Sequence, residues 1–262
     1  MLLGYLLKDY KECGAKIPVH ITLSKKTNNI LIAGKSGAGK SLAALWYIWN
    51  QVSTGESYVF IADYKAGIEY TMFESLLSYA SGSDAIQMIQ SFYQFFTSVR
   101  TNRIKLTHHY VLFIEEWFGL LTFAESQSKK LKADLMSMVG EILAVGRGLN
   151  FGIMLCVQRA DASLFSGGAR DQFQCALSFG RCSAEQFKML GFSGELENNP
   201  TNKYKSGQAL ALIDGQDNIK ELIVPLIKNP DTLCQGIRMY LEKQLSIPEL
   251  LGAIAEGKSS QL

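Results

Sequence analysis

The eight residues GKSGAGKS at 34–41 constrain this chain more than any other stretch of it. They fit G-x-x-x-x-G-K-[ST] in full and lie between an apolar run, NILIA at 29–33, and a helix-like segment, SLAALWYIWNQV at 41–52. A buried strand, a glycine-rich turn and a helix in that order bring successive backbone N–H groups together at a helix N-terminus, an arrangement suited to holding phosphate. Gly34, Gly37 and Gly39 let the backbone curl, Lys35, Ser36 and Ala38 complete the turn, and Leu42 follows it into the helix. Lys40 is placed to bridge β- and γ-phosphates, and the Ser41 hydroxyl to ligate Mg²⁺. ATP and Mg²⁺ are the expected cofactors, held by residues 34–42.

The remaining pattern supplies the sheet such a turn needs. Apolar runs recur at YVFIAD (58–63), YVLFIE (110–115), FGIMLCV (151–157) and CALSFG (175–180). Between them, residues 69–99 read as two helices parted at 81–83, and residues 131–148 as one helix stopped by Gly146 or Gly148. Strands apolar on both faces and alternating with helices predict an α/β sandwich around a mainly parallel sheet. QALALI (208–213) and KELIVPLI (220–227) read as a β-hairpin at the sheet edge, since Pro225 has no N–H to donate. Two short helices follow Pro230, the second opened by a capping box of Ser246 and Glu249. The expected division is an extension at 1–17, a nucleotide-binding domain at 18–229 and a helical tail at 230–262.

Composition narrows the class. With 47% hydrophobic and 19% charged residues the chain is neither disordered nor a coiled coil. Five cysteines without a C-x-x-C pair disfavour a zinc ribbon or a disulfide framework and suit a reducing cytoplasm. No apolar run approaches the roughly 20 residues of a membrane span, so no intrinsic span is expected. A formal charge of +2 leaves any nucleic-acid contact to local patches.

The run YVLFIEEW at 110–117 delivers two carboxylates at a strand end. It looks like a Walker B segment, in which Glu115 would hold Mg²⁺ and Glu116 would orient and polarise the attacking water. The usual first acid is Asp; Glu is one methylene longer, so the strand end or the metal position must adjust.

With these elements placed, GRGLNFGIMLCVQRADASLF (146–165) resembles the GR-x-x-G-I-x-L-x-x-x-TQRP stretch of FtsK/SpoIIIE-type DNA translocases, members of the HerA-FtsK superfamily. Arg147, Gly152, Ile153, Leu155, Gln158 and Arg159 carry the match. The likeness extends to PVHITLSKKTNNILIAGKSGAGKS, to ADYKAG at 62–67 and to the Walker B strand, in the same order over about residues 18–227. It implies a RecA-like P-loop NTPase fold with an extra strand, 58–63, between the P-loop strand and the Walker B strand. It also implies an ATPase that moves double-stranded DNA as a homo-oligomeric ring, expected to be a hexamer. Gln158 would sense the γ-phosphate, and Arg147 would serve as an arginine finger toward a neighbouring subunit. Ala160 stands where the family has Pro, and Gln174 and Cys175 where it has S-R, which weakens any second subunit-contact arginine. The compact form is similar to coupling ATPases of conjugative plasmids and integrative elements, in which protein partners supply targeting or membrane attachment. The alternative is a nucleotide-binding assembly module of a secretion-type machine with weak or no hydrolysis.

Basic groups at Arg100, Arg103, Lys105, His108 and His109, at Lys129, Lys130 and Lys132, and at Lys203 and Lys205 around Tyr204 are the candidates for DNA contact. For any one of these groups a solvated helix face is the favoured explanation. FYQFF at 92–96, Trp46 and Trp49 read as helix faces packed on the sheet, and the His pair lacks a metal-ligand setting.

Overall fold

The unbroken apolar runs become strands covered on both sides: every residue of Ile30–Gly34 and of Phe151–Val157 is buried. The computed structural model describes residues 1–21, 29–165, 168–194, 196–216 and 218–258. Residues 22–28, part of the first stretch that carried the resemblance, lie outside the described residues.

In chain order the elements are β1 (Leu2–Leu6), α1 (Leu7–Cys13), β2 (Pro18–His20), β3 (Ile30–Gly34), α2 (Lys40–Val52), β4 (Ser57–Asp63) and β5 (Tyr79–Ser81). There follow α3 (Ala85–Thr101), β6 (His109–Glu115), α4 (Trp117–Gln127), α5 (Lys129–Val145), β7 (Phe151–Val157), β8 (Cys175–Phe179) and α6 (Ala184–Met189). The chain then forms β9 (Gln208–Ile213), β10 (Lys220–Ile223), α7 (Pro230–Leu241) and α8 (Ile247–Ala255). Among the described residues one sheet of ten strands runs β2-β1-β10-β9-β8-β3-β7-β6-β4-β5. The six strands from β8 to β5 are parallel, while β9, β10, β1 and β2 continue the sheet antiparallel.

Alternation along β3 divides the core in two. Leu31 and Ala33 join the cluster beneath α3, α4 and α5, whereas Ile30 and Ile32 join the one beneath α2 and α7. Each large apolar side chain buried this way contributes roughly 1.5–3 kcal/mol, so the two clusters outweigh any exposed ion pair at about 1 kcal/mol or less. The aromatic run on α3 belongs to the first cluster: Phe92, Phe95 and Phe96 are fully buried and meet Phe151 edge-on. A polar residue anchors the middle. Asn29, fully buried just before β3, accepts from Ile153 N–H at 3.0 Å and donates its amide to Leu143 O and Gln172 O at 3.2 and 3.0 Å.

Three expectations need correction. The first of the two helices read in 69–99 is a 3-10 turn (Ile68–Phe73) followed by β5, because Tyr79, Ala80 and Ser81 pair in parallel with Ile61, Ala62 and Asp63. The strand expected between the P-loop strand and the Walker B strand is not 58–63. That position belongs to β7, whose seven residues are all buried, while β4 lies beyond β6 and carries the short β5 on its outer side. The expected hairpin forms from β9 and β10, but β1 of segment 1–17 pairs with β10 through Tyr5 and Leu6 and covers it. Pro225 lies past the end of β10 and costs the ladder nothing. The capping box at the last helix is present, with Glu249 accepting from Ser246 N–H at 2.8 Å. Among the described residues no helix is long and apolar enough to cross a membrane.

Candidate functional site

Two glycines of the turn between β3 and α2, Gly34 and Gly39, sit where close contacts leave no room for a side chain. Gly39 sits at φ +92°, and a Cβ there would lie 2.8 Å from Gly207 N, whose own N–H donates to Ala38 O at 3.0 Å. At Gly34 a Cβ would lie 2.6 Å from Phe179 O. The segment entering β9 thus forms one wall of the loop. Lys40 is almost buried, and its ammonium donates to Lys35 O at 3.0 Å, a carbonyl of the same loop that a bound phosphate would displace.

Opposite the loop stand the ends of β6 and β7. Glu115, 2% exposed, has Oε1 3.4 Å from the Ser41 hydroxyl, which donates to it, while Oε2 is buried without a hydrogen-bond partner. Burial pushes its carboxyl up to about 7; the Asp63 charge beside it acts in the same direction, and the Cys156 thiol, Lys65 and Lys40 oppose. A buried carboxylate whose neighbours are a hydroxyl and at most a weak thiol donor, Cys156, is chemically suited to a divalent cation. Among the described residues no cluster of three His, Cys, Asp or Glu could hold a metal by itself. Mg²⁺ here would rest on Ser41, Glu115 and phosphate oxygens, and these residues fit it.

Glu116 adopts φ +59° and ψ +53°, uncommon for a residue with a side chain. In an extended strand two successive side chains point to opposite faces. The left-handed turn breaks that alternation, so Glu115 and Glu116 both line a cleft of about 330 Å³ with Lys40, Ser41 and Gln158. Gln158, the first residue after β7, donates Nε2–H to Glu116 Oε2 at 3.0 Å. Residues 36–37 and 39–42 line the same cleft.

Sequence reasoning singled out ADYKAG without giving its residues a role. In the structure Lys65 and Glu69 line the cleft and pair at 3.0 Å. Burial alone would raise the Glu69 carboxyl, but its own backbone N–H, Lys65 and the Ser41 hydroxyl, whose one proton can turn to Glu69 or to Glu115, outweigh that and hold it below the usual carboxylate range. Asp63, fully buried, accepts from Gly67 N–H at 2.8 Å and Tyr79 O–H at 3.0 Å and so fixes the turn that carries Lys65. Ser206, a further cleft residue, left no signal in the sequence.

Arg147 is not brought to this cleft. It precedes β7 whereas Gln158 follows it, and seven extended residues put about 20 Å between the two. Its Nε is buried without a hydrogen-bond partner. The basic groups are partly neutralised: Arg100 pairs with Glu141, Lys130 with Asp134 at 2.6 Å and Lys132 with Glu125 at 2.7 Å. His108 stacks on Tyr58 with ring centroids 4.8 Å apart.

No family model matches the chain. The FtsK domain-containing protein YdcQ of Bacillus subtilis (strain 168) is 26% identical over 116 residues, which is 44% of this chain and 23% of that protein. The match therefore spans about a quarter of the relative's length. Among solved structures, the pCW3 conjugation coupling protein TcpA, in a monomer form with ATPγS, superposes with TM-score 0.62 at 15% identity over 90% of this chain and 69% of that one. The cytoplasmic domain of the Thermomonospora curvata type VII secretion ATPase EccC gives TM-score 0.65 at 14% identity, over 94% of this chain and 32% of that one. The genome packaging NTPase B204 of Sulfolobus turreted icosahedral virus 2, in complex with AMPPCP, gives 0.51 at 14% identity, over 76% and 98%. The chain has the fold of these P-loop ATPases, and 44% of it is similar in sequence to an FtsK domain-containing protein.

Proposed function

We propose that the chain hydrolyses Mg²⁺-ATP and couples the hydrolysis to movement of double-stranded DNA, as a cytoplasmic ring in which Arg147 completes the neighbouring subunit's site. The observation that carries hydrolysis, beyond binding, is the Glu116–Gln158 pair facing Lys40 across the cleft. Lys40 exchanges Lys35 O for phosphate oxygens and neutralises charge that builds there. Ser41 and Glu115 would hold Mg²⁺, which when bound offsets phosphate charge and draws Glu115 into its ionised form. Glu116 orients water and takes its proton, and Gln158 fixes that carboxylate until a terminal phosphate competes for the amide. Transfer of DNA between cells, as in plasmid or conjugative-element transfer, is the setting that likeness to a coupling protein supports.

Turnover of the purified chain with ATP and Mg²⁺, with and without duplex DNA, is the test. Glu116→Gln is expected to keep ATP binding and lose about 10²- to 10⁴-fold in turnover, and Lys40→Ala to lose both. Unchanged turnover in both variants overturns the assignment. Mixing Arg147→Ala with Glu116→Gln chains tests the shared site: activity returns only if one subunit's arginine serves another's cleft.

A second reading, a nucleotide-dependent assembly module of a secretion-type machine, is favoured by the internal pairing of Arg100, Lys130 and Lys132, which leaves less charge for phosphate tracking. Tight ATP binding with negligible turnover and no affinity for duplex DNA at low salt selects it.

A further inference from the structure

Lys65 and Glu69 are the two charged residues of the cleft that the proposal above leaves without a role. Asp63, the last residue of β4, pairs in register with Glu115, the last of β6, so the turn after β4 emerges beside the carboxylates of the cleft. Three features fix that turn. Asp63, fully buried, accepts from Gly67 N–H, Ala66 adopts φ +51°, and Gly67 leaves room for the Glu69 carboxylate, whose Oε2 lies 2.9 Å from where a Cβ would stand. An exposed ion pair between residues four apart adds little to stability, whereas left-handed backbone at a residue with a side chain opposes folding. Stability alone does not account for the turn; its result is an ammonium group at the edge of a phosphate cleft. The pair is also unequal. The Glu69 side chain is 19% exposed and is held by its own backbone N–H, the Ser41 hydroxyl and Lys65, while the Lys65 side chain is 47% exposed and has, among the described residues, Glu69 as its one ion-pair partner. Of the two, Lys65 is the one free to swing, a compact charge on a flexible four-carbon stem.

We infer that Lys65 is a further catalytic residue: its ammonium leaves Glu69 when ATP enters and contacts the terminal phosphate from the β4 side of the cleft. The inference rests on the phosphate-loop reading above and adds a second positive charge to the reaction proposed there. Among the described residues the cleft presents three carboxylates, Glu69, Glu115 and Glu116, and two ammonium groups, Lys40 and Lys65. With a divalent cation at Ser41 and Glu115, Glu69 gains a second positive neighbour, so Lys65 can turn to a phosphate oxygen without stranding the acid it leaves. Lys40 is anchored at the loop by Lys35 O, and Lys65 swings in from the turn after β4. Charge that builds on the terminal phosphate oxygens in the transition state is then met from two sides.

The test is equilibrium binding of ATP and ADP to the full chain with Mg²⁺, in a Glu116→Gln background so that ATP is not consumed. Lys65→Met is expected to weaken ATP about tenfold or more and ADP less than about twofold, since ADP lacks the phosphate in question and also reports an intact fold. Lys65→Arg, which keeps the charge, retains most of the ATP affinity. Combining Lys65→Met with Glu69→Gln separates contact from neutralisation: the loss persists if Lys65 touches the phosphate and disappears if Lys65 serves only to offset the Glu69 charge. With Glu116 intact, Lys65→Met lowers kcat about 10²- to 10³-fold. Equal weakening of ATP and ADP, recovery in the double variant or an unchanged kcat overturns the assignment. A wild type that binds neither nucleotide, or binds ATP without turning it over, overturns instead the reading on which the assignment rests.

Discussion

Glu115 makes the stability of the nucleotide-free protein depend on pH in a way that can be worked out beforehand. Its carboxyl rises from the ordinary 4.5 to about 7, chiefly through burial. Raised in the folded state, it binds a proton more tightly there than in the unfolded chain, so the stabilisation is complete below about pH 4.5 and is lost as pH climbs through about 7. At 1.36 kcal/mol per pH unit the full loss is about 3 kcal/mol, a sizeable part of the 5–15 kcal/mol that holds a typical domain. Asp63, also raised by burial, adds to the trend, so the effect must be isolated by difference. Glu115→Gln removes the titration while keeping the shape. Urea unfolding of both proteins at pH 5, 6, 7 and 8 in the presence of a chelator should show the variant overtaking the wild type toward pH 8. The gap corresponds to a melting-temperature difference of about 5–10 °C for a chain of this size. Parallel pH profiles, within about 0.5 kcal/mol throughout, would refute the idea that this carboxylate is stranded until a cation reaches it.

Three further outcomes follow from contacts at the loop and the sheet. Asn29→Ala should cost about 3 kcal/mol in urea unfolding, because Ile153 N–H and the carbonyls of Leu143 and Gln172 lose their partner. Gly39→Ala should lower ATP affinity at least about tenfold and stability by about 1–3 kcal/mol, since the methyl meets Gly207 N in a backbone conformation that disfavours side chains. Gln158→Ala should reduce the catalytic rate more than about tenfold with little change in KM, a split that single-turnover kinetics resolves.

What could be read from the sequence was what depends on neighbours in the chain. The loop at 34–41 declares itself by spacing, and the acids at 115 and 116 follow a visible strand. Whether both would enter one cleft depended on the left-handed backbone at Glu116, which spacing does not report. Tyr79–Ser81 was misread because its strand character comes from pairing with β4, a contact across about 18 residues, and not from any alternation of its own. The same holds for Lys65 and Glu69, which gain meaning only from the turn fixed by Asp63. Arg147 shows the reverse case: a motif match located the residue, but only the direction of β7 shows that its own cleft lies at the other end.

Among the described residues the ten-strand sheet begins and ends on strands of three residues, β2 with Pro18 at its start and β5 at the far side. Margins so brief give a second molecule few amide and carbonyl groups to dock against, so sheets from separate copies have little means of joining side by side. The ring proposed above would then be built from helical flanks and connecting turns. Substitutions that alter how many copies gather should be sought on those surfaces, and the strand margins should tolerate change without affecting stoichiometry.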